Sequence, residues 1–236
     1  MRLNAPYFTS GLLSNTSNSV SHGFLTKIID LEILGQALGK DFCLMSMNQV
    51  HGSNIEIVDG KVLRYNSGFF GVIQFSDGLI TAHKKVALVV KTADCVPILV
   101  YDPERNVVGV LHAGWRGTLG GILLGIVESM KEAFGSNPLD ILVAIGPSIG
   151  PCCYEVKDDV SSLFIKGGLA TCILNRNGKM YLDIPDAGRV LFEKAGVLPN
   201  HIDCIKVCSR CLPNLFHSYR RERGKNEVQY SFIAMC

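Results

Sequence analysis

At 236 residues, with 47% hydrophobic and 19% charged residues, the chain has the make-up of a globular protein rather than a disordered one. A net charge of +2 gives no electrostatic reason to expect nucleic acid or an anionic membrane as the main partner. No stretch approaches the roughly 20 apolar residues that a membrane-spanning helix needs, and the N-terminus lacks the charged-then-apolar order of a secretory signal.

Nine cysteines, an odd number, are scattered without the spacing of a small secreted scaffold. That usage points to a reducing cytoplasm, where thiols stay free or hold metal. The length suits one domain over residues 1–236.

From the start, residues 1–20 are rich in Ser and Asn and read as partly extended or loosely ordered. His22 to Thr26 reads as the first strand. Leu31 to Leu38 has helical spacing and ends at Gly39, a C-cap. FCLMSMNQVHGSNIEIVD then gives two strand-like runs joined through Gln49-Val50-His51-Gly52, with His51 accessible where the chain turns. Residues 59–76 read as a connection, followed by FSDGLIT with Asp77-Gly78 at a turn.

Residues 91–121 organise the chain. One apolar run reaches Ala93-Asp94-Cys95, and a second, VVGVLHAGWRG, reaches His112 with Arg116 just beyond. Asp102-Pro103 and Asn106 mark a turn between them. A thiol and an imidazole delivered at the ends of buried strands cost desolvation free energy unless something binds them, and a metal ion would satisfy both. TLGGILLGIVESMKEAFG reads as an amphipathic helix with Thr118 as N-cap, Leu119 to Met130 supplying the apolar face, and Gly135 and Pro138 as the stop. The Gly-Trp-Arg-Gly turn sets backbone N–H groups beside a guanidinium, which suits an anion, or else an ion pair with an Asp.

DILVAIGPSIGPCCYEV is a third buried strand running into a turn that carries Cys152, Cys153 and Tyr154. Adjacent cysteines point apart, so at most one faces a pocket and the other is a small core residue. VKDDVSSLF and DIPDAGRVLFEKAG read as helices, separated by a turn near NRNGK. Cys208 and Cys211 form a CxxC pair. No second pair follows at zinc-ribbon spacing, and the position is wrong for a thioredoxin motif. Arg220, Arg221 and Arg223 bind phosphate or form a solvated face. No repeat, P-loop, GxGxxG or GxSxG occurs. Strands and helices in irregular alternation indicate an α/β or α+β fold with mixed sheets.

NQVHG (48–52), SDGLIT (76–81), KTADCVPILVYDP (91–103), HAGWRG (112–117), IGPSIGPCCYEV (145–156) and FHSYRR (216–221) stand in the order found in one family. The chain resembles the YfiH-type purine nucleoside phosphorylases, long described as multicopper polyphenol oxidoreductases or laccase-domain proteins. The resemblance implies a layered α/β/β/α sandwich and a catalytic zinc site of His51, Cys95 and His112. It implies phosphorolysis of adenosine, inosine, guanosine and methylthioadenosine, and deamination of adenosine. Beside what the resemblance implies, the residue chemistry gives a hypothesis of its own: Arg116 and the nearby turn N–H groups hold phosphate as part of the catalytic set. Asn48, Asp77, Cys153 and Tyr154 are the candidate substrate-binding residues. Where relatives continue an HGFTTR-like start with an Arg and a Gly-Gly-Val-Ser loop, this chain has HGFLTKIIDLEILG, with Lys27 and no such loop. Glu222 stands where an Asp commonly follows the paired Arg.

The residues are consistent with that chemistry. Three ligands from three strand ends suit a catalytic zinc with an open position better than a closed structural finger. Two His and one Cys also suit copper, so a phenol-oxidising laccase is the rival reading. A multicopper centre needs many more His, and of the six in the chain only His22, His83, His201 and His217 remain. A non-enzymatic zinc module would use the same three ligands, and a Cys-nucleophile hydrolase would use Cys95 beside a His.

Overall fold

The computed structural model describes residues 7–16, 20–65, 70–223, 225 and 227–236. Its core is two six-stranded mixed sheets packed face to face. The first sheet runs, in spatial order, Tyr7–Phe8, Val20–Leu25, Gln229–Met235, Val86–Thr92, Cys43–Met47 and Phe70–Ile73. The second runs Ile202–Cys204, Leu142–Ile145, Val96–Asp102, Val107–Ala113, Gly78–Thr81 and Ile55–Ile57.

Strands covered on both faces need apolar residues at every position, which explains the unbroken runs VALVV and VPILVY. In Val86–Thr92, Leu88 and Val90 point between the sheets, against Leu99, Tyr101, Val108 and Val110 of the second. Ala87 and Val89 point the other way, onto Leu34 of the helix Leu31–Leu38. Ile98, Val100 and Leu111 face outward from the second sheet onto the helices Ile122–Phe134 and Ile184–Lys194. The result is the expected α/β/β/α order. Truncating a fully buried residue of these layers, such as Ile98 to Ala, costs about 2–5 kcal/mol.

Several local expectations need correction. His22 to Thr26 is not the first strand: Tyr7–Phe8 precedes it and pairs antiparallel with Val20–Leu25. Residues 7–16 are held by Ser10, whose N–H donates to His22 Nε2 at 3.0 Å and whose hydroxyl donates to Asp203 at 2.6 Å. The remainder of the stretch expected to be loose, residues 1–6 and 17–19, lies outside the described residues. Within 59–76, a helix Gly60–Tyr65 and a strand Phe70–Ile73 appear in place of a plain connection.

Thr118 is not an N-cap. A short helix Trp115–Leu119 starts directly after Gly114, and the long helix begins only at Ile122, after Gly121 at φ 85°. Two successive glycines permit that break. The NRNGK turn joins a hairpin, Ile173–Arg176 with Lys179–Leu182, in a separate three-stranded sheet.

Most consequential is the stretch between the two apolar runs. Val96–Asp102 is a strand of its own, in a different sheet from Val86–Thr92. Ala93-Asp94-Cys95 is therefore the crossover from one layer of the sandwich to the other. Among the described residues, no helix is long and apolar enough to cross a membrane.

A candidate metal centre and its cleft

Three segments meet where that crossover reaches the sandwich edge. His112 stands near the end of the strand Val107–Ala113 and is 3% exposed. Its Nδ1 lies 2.7 Å from Asp77 Oδ1. With the Nδ1 proton given to that carboxylate, Nε2 is left to act as a ligand.

Asp77 is fully buried and accepts three further bonds, from the backbone N–H groups of Val50, His51 and Gly52 at 3.2, 3.0 and 2.7 Å. Burial pushes its carboxyl up, but the bonds from His112 and this turn outweigh it and leave the pKa below the ordinary value. The bracket also holds His51, whose φ of 60° lies in the left-handed region that few side chains adopt.

Cys95 follows a second such residue, Asp94, at φ 85°. The Asp94 carboxylate accepts Ser209 Oγ at 2.7 Å, Ser218 Oγ at 3.0 Å and the Arg220 N–H at 2.7 Å. The crossover is thus fastened from the chain's C-terminal part. The two strained turns are stabilised by buried carboxylates.

The imidazole and thiol ligand atoms of His51, Cys95 and His112 lie within 4.8 Å of one another, forming a group able to hold a metal ion. The two rings are nearly perpendicular, at 83°. Burial pushes the Cys95 thiol up, but His112, and then His51, outweigh it and hold the pKa down to about 6. Burial likewise pushes His112 down, while Cys95 and Asp77 outweigh it and raise the pKa to about 9. The pair favours thiolate beside imidazolium.

Gly114 belongs to the same construction: a Cβ there would stand 3.2 Å from Cys95 Sγ and 3.5 Å from His51 Cδ2. At Gly117 a Cβ would meet the Gly52 carbonyl oxygen at 2.7 Å, so the short helix can pack on the His51 turn only through glycine. Donor set, orienting carboxylate and cleared space all fit a metal ion.

A cleft of about 880 Å³ opens over this point and includes Asn48, His51, Cys95, His112, Arg116 and Tyr154 among its lining residues. Asp77 and Cys153 are not in its lining. Asp77 spends its oxygens on His112 and the turn, which makes it a positioning residue. Cys153 turns its sulfur to Cys211, 3.4 Å away. Cys152 is exposed, so neither cysteine is a small core residue.

The lining also holds residues that sequence reasoning did not single out: Gln49, Lys91 and Trp115. Gln49 was visible as part of NQVHG. Its side chain accepts the Lys91 N–H at 3.0 Å and donates to the Lys91 carbonyl at 2.7 Å, tying the turn to the first sheet. Arg116 stacks over Trp115 at 4.3 Å and pairs with no carboxylate among the described residues. Arg220 lies 5.0 Å from the Tyr154 ring. Burial, with Cys95 adding to it, pushes the Tyr154 phenol up to about 12 despite Arg220.

The remaining histidines lie apart from this centre. His22 serves Ser10, and His217 faces Glu222 and Glu227. Among the described residues no group of three or more histidines forms.

The family model described as "Multi-copper polyphenol oxidoreductase laccase" matches residues 30–236. The purine nucleoside phosphorylase YlmD of Bacillus subtilis (strain 168) is 35% identical over 199 residues, 80% of this chain and 69% of that protein. The adenosine deaminase RL5, from an unknown prokaryotic organism, is 34% identical over 206 residues, 83% of this chain and 77% of that protein. The crystal structure of the Bacillus licheniformis hypothetical protein YfiH superposes with a TM-score of 0.84 at 29% identity, covering 100% of this chain and 98% of that one.

Proposed function

The chain belongs to the family described as multi-copper polyphenol oxidoreductase laccase, and from that membership we propose that it is a zinc-dependent purine nucleoside phosphorylase that also deaminates adenosine. The observation that carries the reading is the meeting, in one cleft, of the His51–Cys95–His112 group with the cations of Lys91, Arg116 and Arg220. A metal-binding group suits both reactions, and a set of cations not consumed by carboxylates suits phosphate. The two relatives named above carry those two activities in their names.

His51, Cys95 and His112 would hold the zinc, oriented through Asp77. When bound, zinc supplies Lewis acidity at the reacting end of the nucleoside. Arg116, presented by the turn after His112, binds phosphate with Lys91 and Arg220 and sets one of its oxygens against ribose C1′. As that C–O bond forms, the C1′–N9 bond breaks and its electron pair leaves with the purine, which takes up a proton. The aromatic faces of Trp115 and Tyr154 provide stacking surface for the flat base. In deamination a water oxygen adds at C6 of adenine and ammonia departs, leaving inosine.

The copper-oxidase reading has the family's name and a His₂Cys set in its favour. The scattering of the other histidines weighs against a multinuclear copper cluster. A cytoplasmic setting suits nine cysteines that are all free thiols.

The test incubates zinc-loaded protein with adenosine, inosine, guanosine or methylthioadenosine, with and without phosphate, beside a copper-loaded sample given a phenol. Free base with the matching pentose 1-phosphate, formed only with phosphate, supports the proposal. Phenol oxidation by the copper form with no nucleoside turnover by the zinc form sinks it.

A further inference from the structure

The Gly-Pro turn after the strand Leu142–Ile145 and the CxxC loop near the C-terminus meet at four sulfurs. Cys152, Cys153, Cys208 and Cys211 have all their Sγ atoms within 4.8 Å of one another. Cys153 and Cys152 stand 3.4 and 3.7 Å from Cys211. A disulfide needs about 2.05 Å between sulfurs. Sulfurs about 2.3 Å from a tetrahedral zinc lie roughly 3.8 Å from each other. The second pair that a zinc ribbon requires is therefore present: it precedes the CxxC in sequence as an adjacent Cys-Cys.

We propose that Cys152, Cys153, Cys208 and Cys211 form a second, structural metal site that binds one zinc ion through four thiolates and is separate from the His51–Cys95–His112 group.

The surroundings fit a thiolate site. The Gly150 N–H points at Cys208 Sγ, 3.3 Å away, a donor aimed at sulfur. The two segments are registered by a bridge between Ser148 and Cys208, with the Ser209 N–H donating to the Ser148 carbonyl at 2.9 Å. Four thiolates around Zn²⁺ leave a net charge of −2. The Arg221 guanidinium, paired with Glu222 at 2.6 Å, donates at 3.1 and 3.0 Å to the carbonyls of Ser209 and Arg210 and so fixes the backbone between the CxxC sulfurs.

The site would act as a clasp. It ties the turn just before Tyr154 to the CxxC loop that precedes Arg220, and both of those residues line the cleft. Ser209, inside the CxxC, donates to Asp94, the neighbour of Cys95. Metal in the clasp thus fixes the crossover turn through one hydrogen bond. No chemistry is assigned to it, since all four coordination positions are taken by protein.

The test uses the full chain carrying Cys95→Ala, so that the result does not depend on the first site. Protein purified with thiol reductant and zinc, then freed of loose metal by gel filtration, should retain one zinc per chain. X-ray absorption should give four sulfurs at about 2.3 Å. Adding Cys211→Ser, a substitution at an exposed position, should reduce the retained zinc or change the shell to three sulfurs, and should the double variant fail to fold, Cys211→Ser alone should retain one zinc fewer than the unaltered chain. Three outcomes overturn the proposal: no retained zinc in a folded Cys95→Ala protein, zinc with a nitrogen or oxygen shell, or a disulfide among the four cysteines in the reduced preparation.

Discussion

His112 Nδ1 stands 2.7 Å from Asp77 Oδ1, and the same carboxylate holds the turn that presents His51. One buried acid therefore sets two of the three candidate ligands. Replacing it as Asp77→Asn removes the charge and turns an amide N–H₂ toward backbone donors. Zinc affinity, read by competition with a chromophoric chelator, should fall about 10–100-fold. Unchanged affinity would mean the imidazole is oriented by something else.

Gly114 and Gly117 separate site effects from fold effects. Gly114 has ordinary extended φ and ψ, so Gly114→Ala introduces no backbone strain, only a methyl 3.2 Å from Cys95 Sγ. It should weaken zinc binding with little change in melting temperature. Gly117→Ala instead meets a backbone oxygen at 2.7 Å that cannot swing away, and should cost about 1–3 kcal/mol in denaturant unfolding. Equal behaviour of the two variants would contradict this division.

The Cys95–His112 pair predicts a pH signature. A thiol held at about 6 is a thiolate above that pH and loses its charge below it. In protein treated with chelator, alkylation of Cys95, followed by peptide mass spectrometry, should rise with a midpoint near pH 6 rather than near the ordinary thiol value of 9.0. Added zinc should protect it. His112→Ala should move the midpoint upward, since His112 is the largest influence lowering it. A midpoint near 9 in the unaltered chain would show that the imidazoles do not act on this thiol.

Arg116 separates the two reactions. If it holds phosphate, Arg116→Ala removes a charge-assisted contact worth about 1.5–3 kcal/mol, raising the phosphate KM by roughly tenfold or more. Deamination, which uses no phosphate, should keep its rate. Arg116→Lys should fall between, retaining charge without the bidentate fork. Equal phosphate dependence in all three proteins would remove Arg116 from the phosphate site.

The candidate ligands were more legible in the sequence than the residues that support them. The run ending at His112 and the TADC turn are legible because buried strands announce themselves by unbroken Val, Ile and Leu, and polar residues at their ends stand out. Nothing local distinguishes a strand that continues from one that changes sheets, so the crossover at residues 93–95 was hidden between two similar apolar runs. The role of Asp77 was hidden too, because its partners lie 25 to 27 residues upstream and 35 downstream. Thr118 has the right chemistry for an N-cap, but the glycine pair at 120 and 121 put the helix break later. Cys152 and Cys153 sit 59 and 58 residues from Cys211, and an adjacent pair lacks the CxxC spacing that marks a zinc ribbon.

The central claim is that the His51–Cys95–His112 group, loaded with zinc, carries out phosphorolysis. The most direct measurement is phosphate-dependent release of adenine from adenosine by the zinc-loaded chain and by its Cys95→Ala variant, with circular dichroism verifying that both are folded. Adenine and ribose 1-phosphate from the first, and neither from the second, is the predicted result. Undiminished adenine release by the variant would contradict it and move the chemistry away from this site.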